Sequence, residues 1–348
     1  MIAPVRVLGH GLACPVGLTT NTALAAMHAG VKRIIESERV RDSRGDFARA
    51  SMLTQLDQDT PRTKRALHMA RFAIAHACAP LSSGGVPPVP CFLALPSPAF
   101  GQPLDLVLIC RHLSEVVRDR VGVELAFDQR RMFTQGRAAA FLALREAMAA
   151  LTRGECAVAL VGGLDSQVDP TTLGVLADNI RILCASNPDG LIPGEGAAFL
   201  LLGNEHAASM HQVGRVTSCA IASEPHPRGL GGPNIGLGLT SLFGELRKSR
   251  NRRFDAVISA QTGESTFERA LAYAYLRNAA WMPEPMRLTV MGTLVGDAGA
   301  AAGAMALVAG VAGLQPPRAL AGRTPGHTSV LVYGESDDGP VGGCIVEC

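Results

Sequence analysis

Apolar positions along this chain alternate between short continuous runs and helical spacing, and the switches between the two predict the elements. "PVRVLGHGLACPVG" is a β-branched run closed by Gly and Pro, the pattern of a strand entering a turn. "TTNTALAAMHAGVKRI" opens on Thr and Asn cap candidates and continues as a helix. The polar stretch 36–62 predicts no element, and "TKRALHMARFAIAHACAPL" returns to helical spacing. "VPCFLALPSP" predicts a short buried strand and "LDLVLICRHLSEVVRDRVG" a helix. The helix "AAAFLALREAMAALTRG" then leads into "AVALVGG", a strand apolar on both faces, as in a parallel sheet covered by helices. "DGLIPGEGAAFLLL" is a Gly-rich turn running into another buried strand.

The same grammar repeats afterwards. "GRVTSCAIAS" predicts a strand, "NIGLGLTSLFGELRKS" a helix, "FDAVISAQTGES" a strand and "FERALAYAYLRN" a helix. "RLTVMGTLVGDAGAAAGAMALVAGVAGL" predicts strand, Gly-rich turn and Ala-rich helix, mirroring "MFTQGRAAAFLALREAMAALTRG" in texture. The expected organisation is two similar halves, 1–205 and 206–348, from a duplication.

Composition changes this picture little. The chain has 348 residues, 47% hydrophobic and 18% charged, enough to bury a large α/β core. The net charge of +2 comes from intermixed signs, so no basic stripe or acidic tail points to nucleic acid or a membrane surface. Nine scattered cysteines without a CxxC read as reduced thiols in a cytoplasmic setting. "MIAPVRVLGHG" does not read as a signal peptide, and the apolar run 298–314 is Ala and Gly, a buried helix rather than a span. Nine histidines include no HExxH, and "GLGGPNIGLGLT" lacks the GK[ST] of a phosphate loop, so neither a metal nor a cofactor is expected. The cationic run "KSRNRR" is a solvated tip or a dock for an acidic partner.

One position conflicts with helix physics. Arg137 stands at the first turn of the helix that follows "QG", where the partial positive charge of the amino end disfavours a cation. Either the turn is a surface feature or an anion sits opposite.

Four stretches taken in order resemble the β-ketoacyl-ACP synthases of the thiolase superfamily. "VLGHGLACPVG" is similar to the opening strand and turn, and "ALTRGECAVALVGGLDS" to the helix end, Gly-Glu step and Gly-Gly strand. "DGLIPGEGAAFLLL" is similar to the Gly-Glu-Gly segment, and "GTLVGDAGAAAGAMAL" to the Gly-His turn and its Ala/Gly helix. The resemblance implies an α/β thiolase fold in five layers, α-β-α-β-α, with two mixed sheets around central helices. It also implies a homodimer through an edge strand of the first half.

Family chemistry places a Cys nucleophile at a helix amino end, with two imidazoles for decarboxylation and oxyanion binding. The resemblance carries the nucleophile position to Arg137, or to Gln135 if two residues are inserted. It carries the two histidines to Gln261 and Thr293 and the nearby lysine to Leu288, and the apolar gate loop becomes "SDDGPVGG" with Asp337 and Asp338. None of these can supply a thiolate or an imidazole, so no catalytic residue and no enzyme activity are expected.

Cys184 reads as a loop thiol, the pair His206 and His211 as a solvated turn, and the "GHG" at 9–11 as a structural turn. Glu195 anchors a ligand or bonds turn backbone; the resemblance favours structure. If Arg137 lies at the base of the old cleft, desolvation demands a carboxylate partner, and Asp297, Asp337, Asp338 and Glu264 are the candidates. If the turn has moved outward, Arg137 is solvated.

Three functions follow. The first is a non-catalytic thiolase-fold adaptor or scaffold, by analogy with degenerate thiolase-like proteins found beside bacterial secretion and effector genes. The second is a silent partner subunit of an active ketosynthase. The third is a repurposed cleft. The implied partners are proteins: a second copy, an effector, a carrier protein or an active ketosynthase.

Overall fold

The computed structural model describes residues 2–347 apart from 43, 82–86, 99, 208–209, 229–231, 250–251 and 314–327. Parts of the Gly-rich 229–240 stretch and of "KSRNRR", as well as His327, fall outside these described residues. The first half runs β1 (Val5–Ala13), α1 (Thr20–His28), β2 (Ile34–Arg41), β3 (Phe47–Ser51), α2 (Arg62–Ala77), β4 (Val89–Ala94) and α3 (Leu106–Val121). It continues with β5 (Leu125–Ala126), β6 (Met132–Phe133), α4 (Ala139–Thr152), β7 (Val158–Ser166), α5 (Pro170–Asp178) and β8 (Glu195–Gly203). The second half holds β9 (Gly214–Ser223), α6 (Leu237–Leu246), β10 (Ala256–Ser259), α7 (Ser265–Arg277) and β11 (Leu288–Val290). It ends with α8 (Met291–Val295), α9 (Ala301–Val311), β12 (Ser329–Glu335) and β13 (Pro340–Glu347).

Strand order follows one pattern in both parts of the chain. The first half reads β1-β8-β7-β4-β5, with β6 also beside β4, and the second reads β9-β13-β12-β10-β11. The directions match as well. β8 is antiparallel to both β1 and β7, and β13 to both β9 and β12. The outer pairs β7–β4 and β12–β10 are parallel in both halves.

In place of two separate sheets, the strands form one continuous 11-stranded sheet. A short antiparallel join, Val5–Val7 against Gly214–Val216, links the first strand of each half. The layering survives this join. Helices α4 and α9 lie between the two half-sheets in one core with residues of β7, β8, β10, β12 and β13. Helices α2 and α3 cover the outside of the first half-sheet, and α6 and α7 that of the second. Every residue of α9 is buried, which is what an Ala/Gly helix between two sheets requires.

Two expectations need correction. "GHG" is not a turn but the middle of β1. A Cβ on Gly11 would sit 1.8 Å from the Ala73 carbonyl and one on Gly9 2.3 Å from that of Ala77, so these glycines let α2 lie directly on the strand. The polar stretch 36–62 contains most of a β2–β3 hairpin, paired Ile34 to Ser51. Its mostly exposed side chains hide it from an apolar pattern.

Candidate functional site

The chain reaches Arg137 through Gly136, at φ +55°, and a single 3-10 turn, Gly136–Ala138, before α4 begins. No side chain from its own segment caps this start. The cap comes from the β12–β13 turn instead: Ser336 Oγ accepts from the Ala138 N–H (3.0 Å) and donates to the Gln135 carbonyl. Opposite, Gly303 in the first turn of α9 leaves no room for a Cβ, which would meet the Arg137 carbonyl at 2.5 Å. Arg137 is thereby clamped between α4, α9 and the β12–β13 turn, and it is 4% exposed.

Its guanidinium is fully engaged. Nη1 donates to Asp297 Oδ2 (2.9 Å), Nη2 to Asp337 Oδ1 (2.7 Å) and Nε to the Glu335 carbonyl (3.1 Å). The Phe267 ring lies beneath it at 5.0 Å. Burial opposes its charge, but Asp337, Asp297 and Glu264 outweigh that and hold the guanidinium more firmly protonated than usual.

Around it runs a chain of ion pairs. Asp337 also takes Arg181 Nη1 at 3.3 Å, and Arg181 forks onto Glu264 at 2.7 and 3.0 Å. Arg228 closes the far end on Glu264 at 3.2 Å. Arg181 follows Ile180, whose φ of +52° is costly for a β-branched residue by roughly 1–2 kcal/mol. This left-handed step ends α5 and turns the chain so that Arg181 faces the cluster. Asp297 Oδ2 additionally accepts from Gln167 Nε2 (3.3 Å), and its Oδ1 from the Gly299 N–H (3.0 Å).

These residues border a cavity of about 170 Å³ lined by Arg137, Arg181, Asp297, Asp337, Asp338 and Gln167, with apolar walls from Phe100, Leu176 and Leu191. Among the described residues no cysteine or histidine lines it. Asp338 is exposed at its mouth and makes no ion pair among the described residues.

Other anticipated residues lie elsewhere. Gln261 is buried at the end of β10, where its amide donates to the Glu335 carbonyl (3.3 Å) and accepts from its N–H (3.2 Å). Thr293 is exposed in α8, its hydroxyl on the Val290 carbonyl (2.8 Å). From that segment it is Asp297, just after Gly296 and just before the Ala/Gly helix, that meets Arg137. Asp297 lies four residues beyond Thr293, in the link between α8 and α9. Glu264 pairs with Arg181 and Arg228 rather than with Arg137. Leu288 lies exposed on the edge strand β11.

Glu195 is wholly buried and takes both oxygens to Arg65 (2.8 and 2.9 Å), the Leu53 N–H (2.7 Å) and the Ser166 hydroxyl (2.9 Å). That is a structural duty. Arg62, one turn before Arg65 and equally buried, pairs with Asp165 (2.8 Å), whose other oxygen accepts from the Ala300 N–H (3.0 Å). Arg62, Arg65, Arg181 and Arg228 were missed by sequence reasoning. The one available signal was the spacing of Arg62 and Arg65 on the apolar side of α2, beside the buried Ala66 and Met69.

Cys184 lies in a separate groove under the β2–β3 hairpin, 3.0 Å from the Ser186 hydroxyl. Burial pushes the Cys14, Cys78 and Cys219 thiols up to about 12, which makes them poor nucleophiles. Among the described residues no group of His, Cys, Asp and Glu is arranged to hold a metal, and no helix is long and apolar enough to cross a membrane.

The comparisons with known proteins bear on the fold. The family model of the β-ketoacyl synthase N-terminal domain matches residues 134–208. No curated protein matches the chain. Among solved structures, the oxazolomycin ketosynthase domain OzmH KS7 of Streptomyces albus JA3453 is 15% identical, with a TM-score of 0.74 over 99% of this chain and 75% of that one. The ketosynthase from module 6 of the bacillaene synthase of Bacillus subtilis 168 is 14% identical, with a TM-score of 0.72 over 99% and 72%. A type II polyketide synthase acyl-carrier protein in complex with its ketosynthase, AntDE:AntF, gives 14% and 0.74 over the whole of both chains. Over residues 134–208 the chain is thus similar to the β-ketoacyl synthase N-terminal domain, and along its whole length it shares the fold of these ketosynthases.

Proposed function

We propose that this chain is a non-catalytic member of the ketosynthase-like group that works through its surface, as an adaptor or scaffold for a protein partner. One observation carries the reading: the cavity at the expected nucleophile position is occupied by the Arg137–Asp297–Asp337 ion pairs. A guanidinium cannot attack a thioester. The Asp297 oxygens are already bonded to Arg137, Gln167 and the Gly299 N–H, so neither is free to act as a base. The buried network takes the place of catalysis with a fixed, charged junction between the halves.

The test is direct. Purified protein incubated with malonyl- and acyl-loaded carrier protein should release no carbon dioxide and transfer no acyl group. Enzyme-dependent carbon dioxide release would overturn the reading.

A silent subunit beside an active ketosynthase is the second reading, favoured by the end-to-end match to a chain of the AntDE:AntF complex. We also expect the chain to self-associate in isolation through the first-half edge at β5 and β6. Light scattering should give twice the 36.3 kDa chain mass. A monomer at high concentration that doubles only when an active ketosynthase is added would favour the second reading.

A further inference from the structure

We infer that Asp337 is a built-in, displaceable anion, and that the cavity takes a short-chain carboxylic acid bearing a hydroxyl or amino group in its place. The inference rests on the ion-paired cleft, not on the adaptor role. Three carboxylates balance Arg137, Arg181 and Arg228, and they are not equivalent. The Asp297 and Glu264 side chains are 1% and 2% exposed, whereas that of Asp337 is 42% exposed. Asp297 is anchored by Gly299 and Gln167, and Glu264 by Thr262. Asp337 is held by the two guanidiniums, on a four-residue turn between β12 and β13.

If the turn swings out, three guanidiniums face two carboxylates, and an external carboxylate restores the balance. Arg137 and Arg181 then present it with N–H groups from two directions. Glu335, Asp338 and Glu264 also surround the position, so only an anion that takes up both guanidiniums is favoured over water.

A second observation identifies the rest of the ligand. Gln167 lines the cavity at 4% exposure, and its carbonyl oxygen has no partner among the described residues. A buried acceptor of this kind calls for a donor. Its amide nitrogen and Arg137 Nη1 both touch Asp297 Oδ2, so the donor must stand within a few bonds of the carboxylate. Phe100, Leu176 and Leu191 supply an apolar wall for a short carbon chain. At about 30 Å³ per water, the 170 Å³ cavity holds the equivalent of about five or six waters, which fits a 2- or 3-substituted acid of a few carbons.

Calorimetric titration of the full chain with 3-hydroxybutyrate tests this, using wild type, Asp337→Ala and the double variant Asp337→Ala/Arg181→Gln. Circular dichroism and a cooperative melt establish that each is folded. The expected result is saturable binding to Asp337→Ala at least about tenfold tighter than to wild type, because the internal competitor is gone. Butyrate should bind more weakly than 3-hydroxybutyrate, the uncharged 3-hydroxybutyramide should not bind, and the double variant should lose the response. A folded Asp337→Ala that takes up no 3-hydroxybutyrate, binds it no better than wild type, or binds the amide equally well overturns the inference. Carbon dioxide release is read separately, so failure here is distinct from failure of the non-catalytic reading.

Discussion

Arg137→Met destabilises the protein by about 3–5 kcal/mol near neutral pH, the usual cost of removing one member of a buried pair. The loss has a definite source. Asp297, 1% exposed on its side chain, keeps only Gln167 and the Gly299 N–H when the guanidinium goes. Burial already holds its carboxyl above the ordinary value, with Arg137 the main opposing influence. Without Arg137 it rises further, so Asp297 takes up a proton in the folded variant and not in the unfolded chain. The deficit therefore shrinks as pH falls.

Asp337 adds little to this loss, because its half-exposed side chain can turn to water. Replacing both partners, Arg137→Met with Asp297→Leu, should recover most of the lost stability, since two apolar groups of similar size leave no orphaned charge. Thermal melts of the single and double variants at pH 5 and pH 8 check this. A solvent-facing arginine would cost no more than about 0.5 kcal/mol and show no such rescue. A flat result in Arg137→Met would remove the ion-paired cleft from the account of this protein.

What the sequence disclosed and what it hid divide along physical lines. The buried strands β1, β4, β7, β8 and β10 are short apolar runs, and the principal helices carry helical spacing, so both were legible. The β2–β3 hairpin was not, because half of β2 is charged and the face it buries is made of small residues such as Ala48 and Ala50. β12 and β13 carry no assignment from the pattern, although Ser329–Glu335 is wholly buried.

Arg137 stood out because a cation at a helix start breaks a local rule, and its carboxylates could be named as candidates. Which of them met it was a matter of tertiary geometry. Asp297 and Asp337 are brought in from 160 and 200 residues away, whereas Glu264 is taken by Arg181 from the end of α5. No spacing in the chain marks Arg181, since only the left-handed step at Ile180 turns it inward.

Glu335 makes stability fall as pH rises from about 5 to 8. It ends β12, 1% exposed, with one carboxyl oxygen on Asn234 Nδ2 (2.7 Å) and the other without a partner among the described residues. Burial raises its pKa from 4.5 to about 7; Asn234 and Arg137 work against that, and the nearby Glu224 and Asp337 add to it. The folded protein thus binds a proton that the unfolded chain has released between these two values, and linkage then requires stability to drop with increasing pH. The contribution is intact below 4.5 and lost above about 7, amounting to about 3 kcal/mol at about 1.4 kcal/mol per pH unit. Asp165 and Asp297, both raised by burial, act in the same direction. Asp337 acts in the opposite one, but its carboxyl is held down at about 2 by Arg137 and Arg181, so its contribution is lost only as pH falls from 3.8 through 2. The two windows do not overlap, which makes the Glu335 effect separable. Glu335→Gln keeps the side-chain shape and the bond from Asn234 but cannot ionise. It should match wild type at pH 4.5 and exceed it by about 3 kcal/mol at pH 8, in denaturant titrations at both values. A variant no more stable than wild type at pH 8 would show that the carboxyl beneath the Asp337 turn is not held protonated by the fold.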